Sequence, residues 1–171
     1  DEAGTVLFVA AEGECLGAIV IGDKPREGVP EMLETLHKHG VQRTVMLTGD
    51  NKASAQQCAQ ACGITEFRAQ LLPQDKVTHV EALLAEEKSK GALAFVGDGV
   101  NDAPVLTMAD VGIAMGGVGS DAAVEAADAV ILNDDITKLP ALLRIAKRTC
   151  LIAKENIVFA LAVKAVCLVL G

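Results

Sequence analysis

Two short stretches carry residues whose types and spacing suit phosphoryl chemistry. Gly97-Asp98-Gly99-Val100-Asn101-Asp102 sets two aspartates and an asparagine among glycines, directly behind the apolar run Ala92-Leu93-Ala94-Phe95-Val96. Carboxylate oxygens are hard donors, and a Mg²⁺ ion held by a few of them completes its shell with water and phosphate oxygens. The glycines let backbone approach a ligand closely. Asn101 or Asp102 can at the same time cap the helix that follows, with Pro104 in its first turn. Thr48-Gly49-Asp50 ends a second run, Thr44 to Thr48, which is β-branched and apolar. On these residues alone a simple helix cap from Asp50 or Asn51 is the favoured reading; at the end of a second strand, a hydroxyl beside the free N–H groups of a helix start makes a phosphate cradle. Lys76, in Leu72-Pro73-Gln74-Asp75-Lys76, falls in the first turn of a helix, where its charge opposes the dipole. It is either a solvated surface lysine or a cation placed to neutralise phosphate.

The elements that must position these residues follow from periodicity. Val6 to Ala10 and Leu16 to Ile21 flank Glu12-Gly13-Glu14 and predict a β-hairpin. Beyond Gly22 the expected order is helix Pro30 to Gly40, strand Thr44 to Thr48, helix Lys52 to Cys62 and strand Glu66 to Leu71. Helix Gln74 to Lys88, strand Ala92 to Val96, helix Ala103 to Met108 and strand Val111 to Met115 come next, then helix Asp121 to Ala127 and strand Ala129 to Leu132. Such alternation predicts an α/β fold, a Rossmann-like parallel sheet with helices on both faces. Ligands in these folds bind beyond the carboxyl ends of the strands, where Thr48-Gly49-Asp50 and Gly97 to Asp102 both lie. Gly116-Gly117-Val118-Gly119 lacks the lysine and hydroxyl of a Walker loop and reads as a turn, with Ser120 as N-cap.

Length and composition bound the rest. The 171 residues suffice for one domain with a sizeable core, built from aliphatic residues because only 2% are aromatic. A net charge of -8, with no basic stripe to neutralise phosphates, argues against a general nucleic-acid binder. The odd set Cys15, Cys58, Cys62, Cys150 and Cys167 is no disulfide framework and suits a reducing compartment. Cys58 and Cys62, one helical turn apart, read as small core residues. From Leu139 the pattern is one long helix. Its first part is amphipathic, with Arg144, Lys147, Arg148 and Lys154, and its second, Ile157 to Gly171, is apolar except for Lys164. Beside a basic flank, that run reads as a truncated transmembrane helix. Asp1 and Gly171 both look like cut ends.

The order of Thr48-Gly49-Asp50, Lys76 behind a proline, GDGVNDAP (Gly97 to Pro104) and ADVGIAMGGVGSDAAVEAADAVIL (Ala109 to Leu132) resembles the phosphorylation domain of P-type ATPases, within the haloacid dehalogenase superfamily. The resemblance runs from about Gly22 to Asn156. It implies an ATP-driven pump working through a Mg²⁺-dependent aspartyl phosphate. By position, Thr48, Gly49 and Asp50 would meet the phosphoryl group and nucleotide, and Lys76 would neutralise phosphate. Asp98 and Asp102 would bind Mg²⁺, with Asn101 completing the site. Residues 1–21 look like a remnant of the nucleotide-binding domain, 22–138 like the phosphorylation domain, and 139–171 like a linker helix running into the membrane. Asn156 and Lys164 are similar to the zinc, cadmium and lead exporting branch, in which the lysine belongs to the ion pathway. The implied partners are ATP, a divalent heavy-metal ion, the bilayer and the remaining N-terminal part of the pump. The implied location is a membrane, with residues 1 to about 155 on the cytoplasmic side. One departure is large: the family's Asp-Lys-Thr-Gly-Thr string, which carries the phosphorylated aspartate on a central strand, does not occur. Only Asp23-Lys24 echoes it, and Pro25 stands where the threonine should be. The chain alone is therefore expected to be inactive and to lack a core strand. A soluble phosphohydrolase using Asp23 is a competing expectation, weakened because Pro25 stands where such enzymes keep a general acid. A non-catalytic fragment that pairs with a complementary piece is another.

Overall fold

A computed structural model describes residues 5–21, 25–87, 91–97, 100–116 and 121–171, in two units that divide after Ile136. In the first unit, β1 (Thr5–Ala11) and β2 (Glu14–Ile21) form an antiparallel hairpin. Its two-residue turn, Glu12 and Gly13, has φ of 51° and 85°, the doubly positive turn whose twist matches that of the strands. Leu7, Phe8, Leu16 and Ile19 are exposed on this ribbon.

The helices begin and end where local chemistry dictates. α1 (Val29–Lys38) starts after Gly28 with Pro30 in its first turn, and the chain turns away at Gly40, whose φ of 98° suits glycine. α2 (Lys52–Cys62) is capped by Asn51, whose Oδ1 accepts from the Ser54 N–H at 2.9 Å, and closes on Gly63 at φ 72°. Ala55, Ala59 and Cys62, spaced four and three apart, form its buried stripe. Between α1 and α2 lies β3 (Val45–Leu47), which pairs in parallel with β4 (Glu66–Arg68). Phe67 lines a cleft with Gln56, Ala59 and Gln60 of α2, whereas its neighbours Glu66 and Arg68 line another with His79, Leu83 and Glu86 of α3 (Pro73–Glu87). Successive side chains of a strand point to opposite faces. The two helices therefore cover opposite faces of this pair, as the sequence predicts.

β5 (Ala94–Gly97), β6 (Val111–Met115) and β7 (Ala129–Ile131) form a second parallel sheet in that order. α4 (Ala103–Met108) and α5 (Asp121–Ala126) pack against β6. Leu106, Ala114 and Ala123 are fully buried there, with Phe95, Ala127 and Val130 around them. A Cβ at Gly112 would overlap the Leu106 carbonyl oxygen, so the approach of α4 to β6 depends on that glycine.

The expected parallel sheet is present in two pieces. β3–β4 and β5–β6–β7 are separate, and β3 and β5, the strands leading to the candidate residues, are each edge strands. Among the described residues no strand pairs with their free edges, which is the consequence expected of a missing core strand. Gly117 to Ser120, read as a turn and N-cap, lie outside the described residues.

The second unit is dominated by α6 (Leu139–Leu170), one unbroken helix of 32 residues and about 48 Å. From Arg144 onward its residues are exposed. Among the described residues no helix is long and apolar enough to cross a membrane. The expected transmembrane run from Ile157 is helical, but it contains Lys164 and follows directly on Lys154 and Glu155, which leaves too short an apolar stretch to cross a membrane.

Candidate functional site

At the carboxyl end of β3, Thr48 and Asp50 close a tight turn. The Thr48 hydroxyl donates to Asp50 Oδ2 at 2.7 Å, and the Asp50 N–H donates to Thr48 Oγ1 at 3.1 Å. Helix capping is left to Asn51, so Asp50 is not spent on that role. The segment after β4 folds across this turn: the Gln70 N–H donates to the Asp50 carbonyl at 2.8 Å and the Leu71 N–H to the Thr48 carbonyl at 3.1 Å. Gln70 takes φ 59° to do so. A Cβ at Gly49 would come 3.3 Å from the Leu71 carbonyl, which favours the smallest residue under this strap.

The strap leads directly into α3. The Leu72 N–H donates to Asp75 Oδ2 at 2.9 Å, the reciprocal half of a capping box, and fixes the first turn of the helix. That turn carries Lys76, and its Nζ donates to Asp102 Oδ1 at 2.8 Å. Asp102 is 7% exposed, the one buried charged residue among those described. Asp102 precedes α4 but makes no side-chain cap bond. Its carboxylate is thus committed to Lys76 and not to helix capping. A Cβ at Gly97 would stand 3.1 Å from Asp102 Oδ2, so glycine at the end of β5 leaves room beside that oxygen. Asn101 is exposed, in the short 3-10 turn Val100–Asp102. Asp98 lies outside the described residues.

Other acids in the same region do structural work. Asp110 Oδ2 accepts from the Leu93 N–H at 2.9 Å and Asp128 Oδ2 from the Gly112 N–H at 2.8 Å, both at the amino ends of strands. Arg43 forks onto Glu66 at 2.9 and 2.8 Å and reaches Glu86 at 3.0 Å, joining β4 to α3. The Arg43 hydrogen bond holds the Glu66 carboxyl below its ordinary value. Burial pushes the Cys62 thiol up, as its place in the buried stripe of α2 leads one to expect. Lys164 belongs to α6, in the other unit.

Comparison with known proteins gives this geometry its family. A haloacid dehalogenase-like hydrolase model matches residues 1–110, most of the chain. The chain belongs to the haloacid dehalogenase-like hydrolase family. Among curated relatives of this haloacid dehalogenase-like chain, the cadmium, zinc and cobalt-transporting ATPase of Bacillus subtilis (strain 168) is 50% identical over the 171 residues of this chain. The zinc-transporting ATPase of Synechocystis sp. is 48% identical over the same length. The chain spans about a quarter of each, 24% in both cases. A crystal structure of a zinc-transporting PIB-type ATPase in an E2.Pi state matches with a TM-score of 0.80 at 38% identity, over 97% of this chain and 26% of that one. The catalytic CPx-ATPase domain CopB-B, upon nucleotide binding, matches with a TM-score of 0.65 at 33% identity, over 80% and 52%.

Of the sequence-derived residues, the haloacid dehalogenase-like fold brings Lys76 and Asp102 into contact and binds Thr48 and Asp50 to each other. The strap at Gln70, Leu71 and Asp75 joins the two groups, and sequence reasoning passed over it. Its one legible signal was Asp75 two residues after Pro73, a pattern that marks a helix start.

Proposed function

We propose that this chain provides the phosphate-handling and Mg²⁺-handling half of the phosphorylation site in a P-type ATPase that exports a divalent heavy metal, zinc, cadmium or lead. The observation that carries the reading is the part-buried Lys76–Asp102 pair, held by a strap to the Thr48–Asp50 turn at the end of a parallel strand. Two features of the donor set fit Mg²⁺. Asp102 is a hard carboxylate with one oxygen not bonded to Lys76, and Gly97 leaves space next to that oxygen. In this reading Asp98 and Asp102 hold the ion, which when bound offsets charge on phosphate oxygens, and Asn101 completes the site. The Thr48 hydroxyl and the Asp50 turn meet the phosphoryl group and the nucleotide. Lys76 neutralises the phosphate and orients Asp102, since a cation fixed within hydrogen-bond reach needs no rearrangement as charge develops.

ATP is the phosphoryl donor and an aspartate of the Asp-Lys-Thr-Gly-Thr string is the acceptor. That string is absent from the 171 residues, so turnover requires it from elsewhere. Residues 1–21 belong to the nucleotide-binding part and 22–138 to the phosphorylation part. The exposed apolar half of α6, with Ile157, Phe159, Leu161, Leu168 and Leu170 all solvent-facing in this chain, enters the bilayer beside the pump's other helices. Residues up to about 155 then stay on the cytoplasmic side. Lys164 lines the ion path, as an ionisable residue within a membrane normally serves a function.

The test is a replacement. These 171 residues, placed at the corresponding quarter of the Bacillus subtilis cadmium, zinc and cobalt-transporting ATPase, should support ATP hydrolysis stimulated by Zn²⁺ or Cd²⁺. A well-folded, membrane-inserted hybrid with no metal-stimulated hydrolysis would count against the reading.

A further inference from the structure

Charge is divided very unevenly between the two units. Residues 137–171 hold six of the 15 Lys and Arg but a single acid, Glu155, a balance of +5 beside -13 for residues 1–136. Within α6 the cations are also ordered. Arg144, Lys147 and Arg148 are spaced three and four apart, and Leu151 and Lys154 continue the same line, so they share one face of the helix. All five are exposed, and Ile145, at 64% exposure, and Ile152, at 46%, flank them. The last cation, Lys154, is three residues, or about 4.5 Å, from Ile157, where the exposed apolar run begins. Arg144 is about 15 Å further along the axis than Lys154.

We infer that the Arg144–Lys154 face of α6 is a binding surface for anionic phospholipid headgroups. The inference rests on the bilayer reading of the apolar half above, and it names the class of lipid that the chain selects. A helix entering a bilayer at Ile157 puts Lys154 in the headgroup layer and Arg148, Lys147 and Arg144 about 14 to 20 Å from the apolar boundary, so each adds attraction to an anionic surface that weakens over a Debye length toward Arg144. The aliphatic stems of the row lie along Ile145, Leu151 and Ile152 while the charged heads reach phosphate. The -13 unit is repelled by the same surface.

The experiment is co-sedimentation of the 171-residue chain with vesicles of pure phosphatidylcholine and of phosphatidylcholine mixed with phosphatidylglycerol, at low and high salt. Apolar insertion alone gives equal binding to both. The headgroup surface gives binding to the anionic vesicles stronger by roughly tenfold or more, an advantage lost at high salt. The triple variant Arg144→Gln, Lys147→Gln, Arg148→Gln should abolish that advantage and keep the binding to phosphatidylcholine, with its circular dichroism unchanged. Equal binding of the unaltered chain to both vesicles overturns the lipid selectivity and leaves the bilayer reading standing. Binding to neither overturns both. A triple variant that keeps the full preference for anionic vesicles overturns the assignment to this row.

Discussion

Lys76 and Asp102 stand 2.8 Å apart with side chains 19% and 10% exposed, enough burial for removal of one partner to be costly for the other. Lys76→Met keeps most of the apolar stem and strands the Asp102 carboxylate, so unfolding in urea should show a loss of about 3 kcal/mol. Asp102→Asn should cost less, because a freed lysine head can move toward water on its flexible stem. A loss within a few tenths of a kcal/mol for Lys76→Met would mean that the pair is solvated and contributes little. The sequence marked Lys76 because a cation in the first turn of a helix lacks a local reason. It could not show the partner, which is 26 residues away and meets it only through folding. Asp110 and Asp128 illustrate the converse: they are as acidic as Asp102, yet each holds a backbone N–H at a strand start, a use no spacing rule distinguishes.

Elements were legible where caps and glycines punctuate them and less so where a loop is held by distant backbone. α2 runs Lys52 to Cys62 as its Asn51 cap and Gly63 stop require. The strand expected over Glu66 to Leu71 ends at Arg68, because the positive φ of Gln70 turns the chain onto the Thr48–Asp50 turn. Strand propensity carries no record of that tertiary bond. Gly112 sets the contact between α4 and β6, and its role was also invisible in a run that simply reads as a buried strand. Gly112→Ala must push α4 away from β6 or bend the strand, at a cost of about 2 kcal/mol in thermal or urea unfolding. An alanine variant as stable as the parent would show that α4 packs less closely than described.

At the scale of the whole molecule, alternation of strands and helices predicted a parallel sheet, and the chain forms it in two pieces. Periodicity reports which segments are strands, not which of them pair. The absent Asp-Lys-Thr-Gly-Thr string is the better guide, because it removes both a phosphorylated side chain and a strand. What remains is a haloacid dehalogenase-like unit that holds Thr48, Asp50, Lys76 and Asp102, and a second unit, the helix α6, whose net charge has the opposite sign. In the proposed pump these residues handle a phosphate carried by an aspartate outside this chain, which labelling with radioactive ATP and an acid quench would detect. The isolated chain should take no label, and the Bacillus subtilis hybrid should carry a hydroxylamine-labile aspartyl phosphate that falls by about tenfold or more with Lys76→Met, the effect of losing some 1.4 kcal/mol of stabilisation. Stable label on the isolated chain, at Asp23 or any other residue, would contradict this reading.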